Sequence, residues 1–137
     1  MTRGITILLP TFNEVEALPG VVDALPLKEL NAAGWSPRIV VADGRSTDGT
    51  QELVTEMGLE LIVQGPPAGK GFGMREAFAR FLTHDDDVLV MLDADGTYAP
   101  KEMMRLIQHL ERGEYDVVIG SRLRGNIQPG AMSRINW

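Results

Sequence analysis

The chain has 137 residues, 44% of them hydrophobic and 23% charged, which is room for one domain with one core and too apolar a mix for a disordered chain. Its 13 Lys and Arg against 19 Asp and Glu leave a formal net charge of -6, which excludes the broad basic surface that holds nucleic acid. With no cysteine, disulfides, thiolate zinc sites and Cys nucleophiles are excluded together, and any metal must be held by oxygen or by His84 and His109.

In chain order, an apolar, β-branched run at residues 5–9 predicts a first strand. It ends at Pro10 and is too short for a signal-peptide core. Helical period covers residues 16–25 and continues to residue 33. Residues 38–42 predict a second strand, 50–57 a helix, 59–63 a third strand, 73–82 a helix and 88–92 a fourth strand. A helix follows over residues 101–111, where Met104, Ile107 and Leu110 recur at a spacing of three and Met103 and Leu106 widen the stripe. Pro100 suits its first turn and Gly113 its end. Residues 116–119 predict a fifth strand. No apolar stretch approaches the ~18 residues of a membrane-spanning helix. Residues 121–137 hold Arg122, Arg124 and Arg134 and no acid, so the basic charge gathers at the end.

Strands alternating with helices predict an α/β fold, a parallel sheet covered by helices. In such a sheet ligands bind beyond the carboxyl ends of the strands, near the point where strand order reverses. Asp93 and Asp95 stand at such an end, where two carboxylates can face a hard cation while Ala94 keeps the backbone close. Mg²⁺ and Mn²⁺ take few protein carboxylates and fill their shell with water and substrate phosphate. An Asp-x-Asp also simply ends a strand; the metal reading gains from Thr97 and from the other polar strand ends that should converge there. Asp43 ends the second strand and points to the crevice, where a carboxylate can accept from a base or ribose. Ser46, Thr47 and Asp48 read as turn formers and helix caps. Gly65 and Gly69 enclose three residues and Gly71 follows Lys70, so this is no Walker loop, although Lys70 at a helix start can meet phosphate. His84 and His109 read as surface, residues 85–87 as a solvated acidic loop, the methionines as core filling and Trp35 as cover for the core edge.

Five segments in order resemble the family 2 glycosyltransferases of the Rossmann-like GT-A nucleotide-sugar-binding fold, in particular the dolichol-phosphate mannose synthase-like members. They are Leu9-Pro-Thr-Phe-Asn-Glu14, Val41-Ala-Asp-Gly-Arg-Ser-Thr-Asp-Gly-Thr50, Gly69-Lys-Gly71 with Arg75, Asp93-Ala-Asp-Gly-Thr97 and Val118-Ile-Gly-Ser-Arg122. The resemblance implies a mostly parallel sheet with helices on both faces and inverting transfer of a sugar from a GDP- or UDP-sugar, with Mg²⁺ or Mn²⁺ as cofactor. It implies that Pro10, Thr11, Phe12, Glu14 and Asp43 surround the nucleoside, with Lys70 and Gly71 near the nucleotide. Asp95 would ligate the metal, Asp93 would hold ribose or share the metal, Ala94 would lie beside them, and Thr97 stands at a third metal contact. Asp93, Asp95 and Arg122 are the expected catalytic residues, with Arg122 near donor or acceptor phosphate.

The chain departs from the family at Asp43-Gly44, where many members have two adjacent acids, and at Thr97, where the dolichol-phosphate enzymes carry glutamine. It stops at Trp137, so the expectation for residues 1–137 is a GT-A domain lacking its C-terminal acceptor region. The expected acceptor is a polyprenyl or dolichyl phosphate. The expected location is the cytoplasm, at the cytoplasmic membrane face in a longer form. Two alternatives stand beside this reading: a non-catalytic nucleotide-sugar-binding fragment, and a haloacid dehalogenase-type phosphatase, whose nucleophile motif Asp93-Ala-Asp-Gly-Thr97 also fits.

Overall fold

The computed structural model of the chain describes residues 2–65 and 70–120. It falls into two compact units, Met1–Met103 and Met104–Trp137, and the sheet lies wholly in the first. Strand β1 runs over Arg3–Thr11, β2 over Trp35–Asp43, β3 over Glu60–Val63 and β4 over Val88–Met91. All neighbours are parallel, in the order β3-β2-β1-β4. The register pairs Thr11 with Asp43, Asp43 with Val63 and Leu8 with Met91, so the polar strand ends emerge together along one edge.

Strand β1 is central and buried on both faces, as its unbroken Ile5-Thr-Ile-Leu-Leu9 run requires. One face carries Leu8, which packs with Val40, Ala42, Ile62 and Ala77; Ala77 lies on helix α4 (Lys70–Leu82). By strand alternation Ile5, Ile7 and Leu9 point to the other face. Right-handed crossovers put there the helices that connect β1 to β2 and β2 to β3: α1 (Leu18–Asp23), α2 (Leu27–Ala32) and α3 (Thr50–Glu56). Their buried Leu18, Val21, Leu30 and Val54 are the apolar partners of that layer. Burying each large side chain of this kind contributes about 1.5–3 kcal/mol. Helices thus cover both faces, as expected.

Three expectations need correction. The helical stretch predicted over residues 16–33 is two short helices, because Pro26 supplies no N–H and disfavours helix in the residue before it. Residues 116–119 form no strand. Their amides join no ladder among the described residues, and Val117 and Ile119 are 73% and 83% exposed. The acidic run at residues 85–87 is not merely solvated. Asp86 accepts from the Thr6 hydroxyl and from Arg38 Nε (3.1 Å), while Arg38 Nη1 donates to Glu60 (2.5 Å) and Nη2 to Thr6 (3.0 Å). Asp87 takes the Gly4 N–H (3.1 Å) and returns its own N–H to the Gly4 carbonyl (2.9 Å). Side chains from three strands and the loop before β4 are therefore tied at the end of the sheet opposite the ligand edge.

That packing leaves no room at Gly4, where an added Cβ would lie 2.9 Å from Asp86 Cα, a backbone atom that cannot swing away. Gly4→Ala is expected to cost about 1–3 kcal/mol, the usual range for overpacking. Gly20→Ala, in α1 with nothing within 4 Å, should gain about 0.5–1 kcal/mol. Urea unfolding of the two variants checks both signs.

The methionines, expected as core filling, divide: Met103 is buried, whereas Met91, at the end of the edge strand β4, is 47% exposed. Helix α5 (Met103–Glu111) follows a 3-10 turn at Pro100–Glu102 and buries Met103 and Ile107, while His84 and His109 are exposed. Trp35 is buried at the start of β2, with the Arg3 guanidinium 4.0 Å from its ring centroid. Among the described residues no helix is long and apolar enough to cross a membrane.

Candidate functional site

Strand β1 leads to β2 on one side, and the chain later returns to place β4 on the other, so strand order reverses between β1 and β4. The loops after β1, β2 and β4 surround that switch point. Thr11 is buried as the last residue of β1, Pro10 is half-buried, and Phe12 beyond them is 62% exposed. Asn13 follows in the left-handed region at φ 53, which a short polar side chain tolerates.

Asp43 is 0% exposed. Its Oδ1 accepts from Thr11 Oγ1 (2.7 Å) and Ser46 Oγ (2.6 Å), and its Oδ2 from the Ser46 N–H (2.8 Å) and Gln51 Nε2 (2.8 Å). Burial alone would push this carboxyl up; the donors from Ser46, Thr11 and Gln51 together outweigh it and hold the pKa below the ordinary aspartate value. The acceptor that the sequence reading directed at a base or ribose is therefore occupied inside the protein. Asp43 shapes the site through the loop it holds.

That loop is laced to the one after β1. The Asn13 N–H donates to Ser46 Oγ (2.8 Å), the Glu14 N–H to Thr50 Oγ1 (3.0 Å) and the Val15 N–H to Asp48 Oδ2 (3.2 Å). In return the Thr47 N–H donates to Asn13 Oδ1 (2.9 Å) and the Gly44 N–H to the Thr11 carbonyl (2.8 Å). Ser46 and Thr47, expected as helix caps, serve this lacing instead. Asp48 does satisfy the Thr50 N–H at the first turn of α3 (3.0 Å), and hydrogen bonding led by the Thr50 hydroxyl holds its carboxyl below the usual value. Asn13 and Gln51 were missed from sequence. Asn13 had a signal, an asparagine just past a strand end; Gln51 looked like an ordinary helix-surface residue.

At the end of β4, Asp93 is half-buried, Ala94 buried and Asp95 exposed. Asp95 Oδ1 accepts the Thr97 N–H (2.8 Å) around Gly96, whose φ of 82 glycine adopts freely. Thr97 thus braces Asp95 through its backbone, and its own side chain is exposed. Burial first, then the carboxylates of Asp95, Asp48 and Asp93, push the Glu14 pKa up. Acids from three loops therefore act together on Glu14, a field that a cation would relieve. Among the described residues no three His, Asp or Glu converge on one point. Two carboxylates on a braced turn instead fit a cation such as Mg²⁺ or Mn²⁺ that completes its shell with water and phosphate. Lys70 and Gly71 begin α4, as expected of a helix start, and the placement of their side chains lies outside the described residues, as do Gly69 and Arg122.

A family model described as glycosyl transferase family 2 matches residues 6–137. The chain belongs to this family. It is 37% identical over 132 residues to glycosyltransferase AglJ of Haloferax volcanii, covering 96% of this chain and 40% of that protein. It is 34% identical over 142 residues to polyprenol monophosphomannose synthase of Mycolicibacterium smegmatis, covering 99% of this chain and 49% of that protein. This family 2 chain thus spans less than half the length of either relative. Its fold is similar to that of Mycobacterium tuberculosis glucosyl-3-phosphoglycerate synthase, solved with Mn²⁺, UDP and glucosyl-3-phosphoglycerate. The match has a TM-score of 0.64 at 24% identity and covers 82% of this chain and 41% of that one. The sheet and its helices have the GT-A fold. Family membership also removes the phosphatase alternative, since Asp93-Ala-Asp-Gly-Thr97 ends the fourth strand of a glycosyltransferase sheet.

Proposed function

We propose that this chain is the donor-binding part of an inverting glycosyltransferase, holding a nucleoside diphosphate sugar with Mg²⁺ or Mn²⁺ for transfer to a lipid phosphate. The observation that carries the reading is the braced Asp93–Asp95 turn facing Glu14 and Asp48 across the switch point of a family 2 sheet. The lipid phosphate acceptor draws its support from the polyprenol-linked relative. Use of Mn²⁺ with a nucleoside diphosphate draws support from the glucosyl-3-phosphoglycerate synthase complex.

In this reading Asp95 and Asp93 hold the metal, which when bound neutralises charge gathering on the departing diphosphate. Thr97 keeps Asp95 aimed by its N–H. Thr11 and Phe12 wall the nucleoside, with Pro10 behind them, and Asp43 with Ser46 and Gln51 keeps the β2 loop in place beside them. Glu14 adds to the field that draws the cation in. Lys70 and Arg122 are assigned to phosphate by resemblance and charge, with Gly71 and Ala94 giving close backbone approach.

Calorimetric titration of the chain with GDP and UDP, in Mn²⁺ and in EDTA, tests the reading. Metal-dependent binding of a nucleoside diphosphate is expected, and absence of binding to either nucleotide in Mn²⁺ overturns it. Turnover of a GDP- or UDP-sugar with a polyprenyl phosphate would separate a catalytic chain from one that only binds the donor.

A further inference from the structure

Arg45 is the other non-glycine residue with positive φ among those described, at 69. An arginine gains nothing locally from the left-handed region, where glycine or asparagine would relax. Its neighbours on both sides are pinned. Gly44 donates to the Thr11 carbonyl, and a Cβ placed on it would touch the Phe12 ring at 3.6 Å. Ser46 is tied to Asp43 and to the Asn13 N–H. Arg45 is thus the crest of a short arch over the segment that carries Phe12, its side chain exposed and without an ion pair among the described residues.

Two further observations define what this guanidinium can meet. The first is distance: β2 stands two strands from β4, so their ends are about 10 Å apart along the sheet edge, at about 4.8 Å per strand, and Arg45 and Asp93 each come two residues past their strand. A ribose and base bridge such a separation when the diphosphate is at the acidic turn. The second is polarity. With both oxygens of Asp43 filled from within, the polar group this loop arch offers to the outside is a donor fork. A planar fork matches two adjacent acceptors, and guanine presents O6 and N7 side by side. Adenine pairs N7 with a donor amine, and in uracil an N–H separates the two carbonyl oxygens.

We propose that Arg45 reads the base of the donor and selects a guanine nucleoside diphosphate through paired hydrogen bonds to O6 and N7. This rests on the donor-binding reading above and gives it a base. The test is titration of the whole chain with GDP, UDP and ADP in Mn²⁺, for the natural sequence and for Arg45→Ala, Arg45→Lys and Arg45→Gly. The natural chain is expected to prefer GDP over UDP by about tenfold or more. Arg45→Ala and Arg45→Gly erase that preference while UDP affinity stays within about twofold, and Arg45→Lys keeps only part of it. Arg45→Gly also raises the melting temperature, because φ 69 suits glycine, so its lost selectivity is not a folding defect. A preference for UDP or ADP, a GDP preference that survives Arg45→Ala, or an equal loss for all three nucleotides overturns the assignment to the base and leaves donor binding standing. No binding of any nucleotide by the natural chain overturns both.

Discussion

Asp95→Ala is expected to lower affinity for a nucleoside diphosphate in Mn²⁺ by about a hundredfold or more, since even partners one step removed from a metal cost about 10–100-fold. In EDTA the sign should reverse. Glu14 lies in the field of Asp95, Asp48 and Asp93, and burial together with these neighbours raises its pKa. Removing one of the four charges lessens repulsion of the diphosphate and tightens metal-free binding slightly. The same change brings Glu14 down toward its ordinary value, which carboxyl chemical shifts across a pH titration can follow. Asp93→Ala separates the two roles open to Asp93: a metal ligand shows its loss only in Mn²⁺, whereas a ribose contact shows it in EDTA as well. An Asp95→Ala loss of equal size in both conditions would mean that Asp95 does not act through a metal.

Asp43→Ala is expected to destabilise the fold by about 3 kcal/mol or more, because four donors lose the buried carboxylate that accepts from them. Asp43→Asn should cost only about 1 kcal/mol. Its remaining oxygen can still accept from the Ser46 N–H and Gln51, and the hydroxyls of Thr11 and Ser46 can turn to accept from the new amide. The pH dependence follows from the direction of the shift. The folded pKa lies below the ordinary 3.8, so the stabilisation is complete above that value and is lost as pH falls through the folded pKa. Urea unfolding at intervals from pH 7 to pH 3 should show a steeper acid decline for the natural chain than for Asp43→Asn. Parallel curves would mean that the charge on Asp43 contributes nothing.

The strands were legible because β1 to β4 carry β-branched, apolar cores that no helix period explains. Their ends were not. Gly4 and Pro37 are poor strand formers, yet they sit inside β1 and β2 because the parallel register from Arg3–Trp35 onward pairs them. Pro37 is tolerated there because β2 does not meet β3 until Val40. Residues 116–119 have the composition of a strand, but composition cannot supply a partner. At the site, Asp93 and Asp95 were readable from type and spacing at a strand end. The saturation of Asp43 was not, since it depends on Thr11, 32 residues earlier, and on Gln51, the second residue of α3. Sequence spacing identifies which side chains can do chemistry, and only packing decides which of them are already occupied.

The cross-lacing of the loops after β1 and β2 has a consequence for inheritance and for engineering. Asn13, Glu14 and Val15 find their acceptors on the second loop, and Gly44 and Thr47 find theirs on the first. Neither loop is a separable cassette. A chimaera that imports one of them from a relative strands donors on both sides of the seam, whereas importing the two together carries the whole set intact. Variation in donor preference therefore has its freest outlets at positions such as Arg45 and Phe12, whose side chains take no part in the lacing and can change one residue at a time.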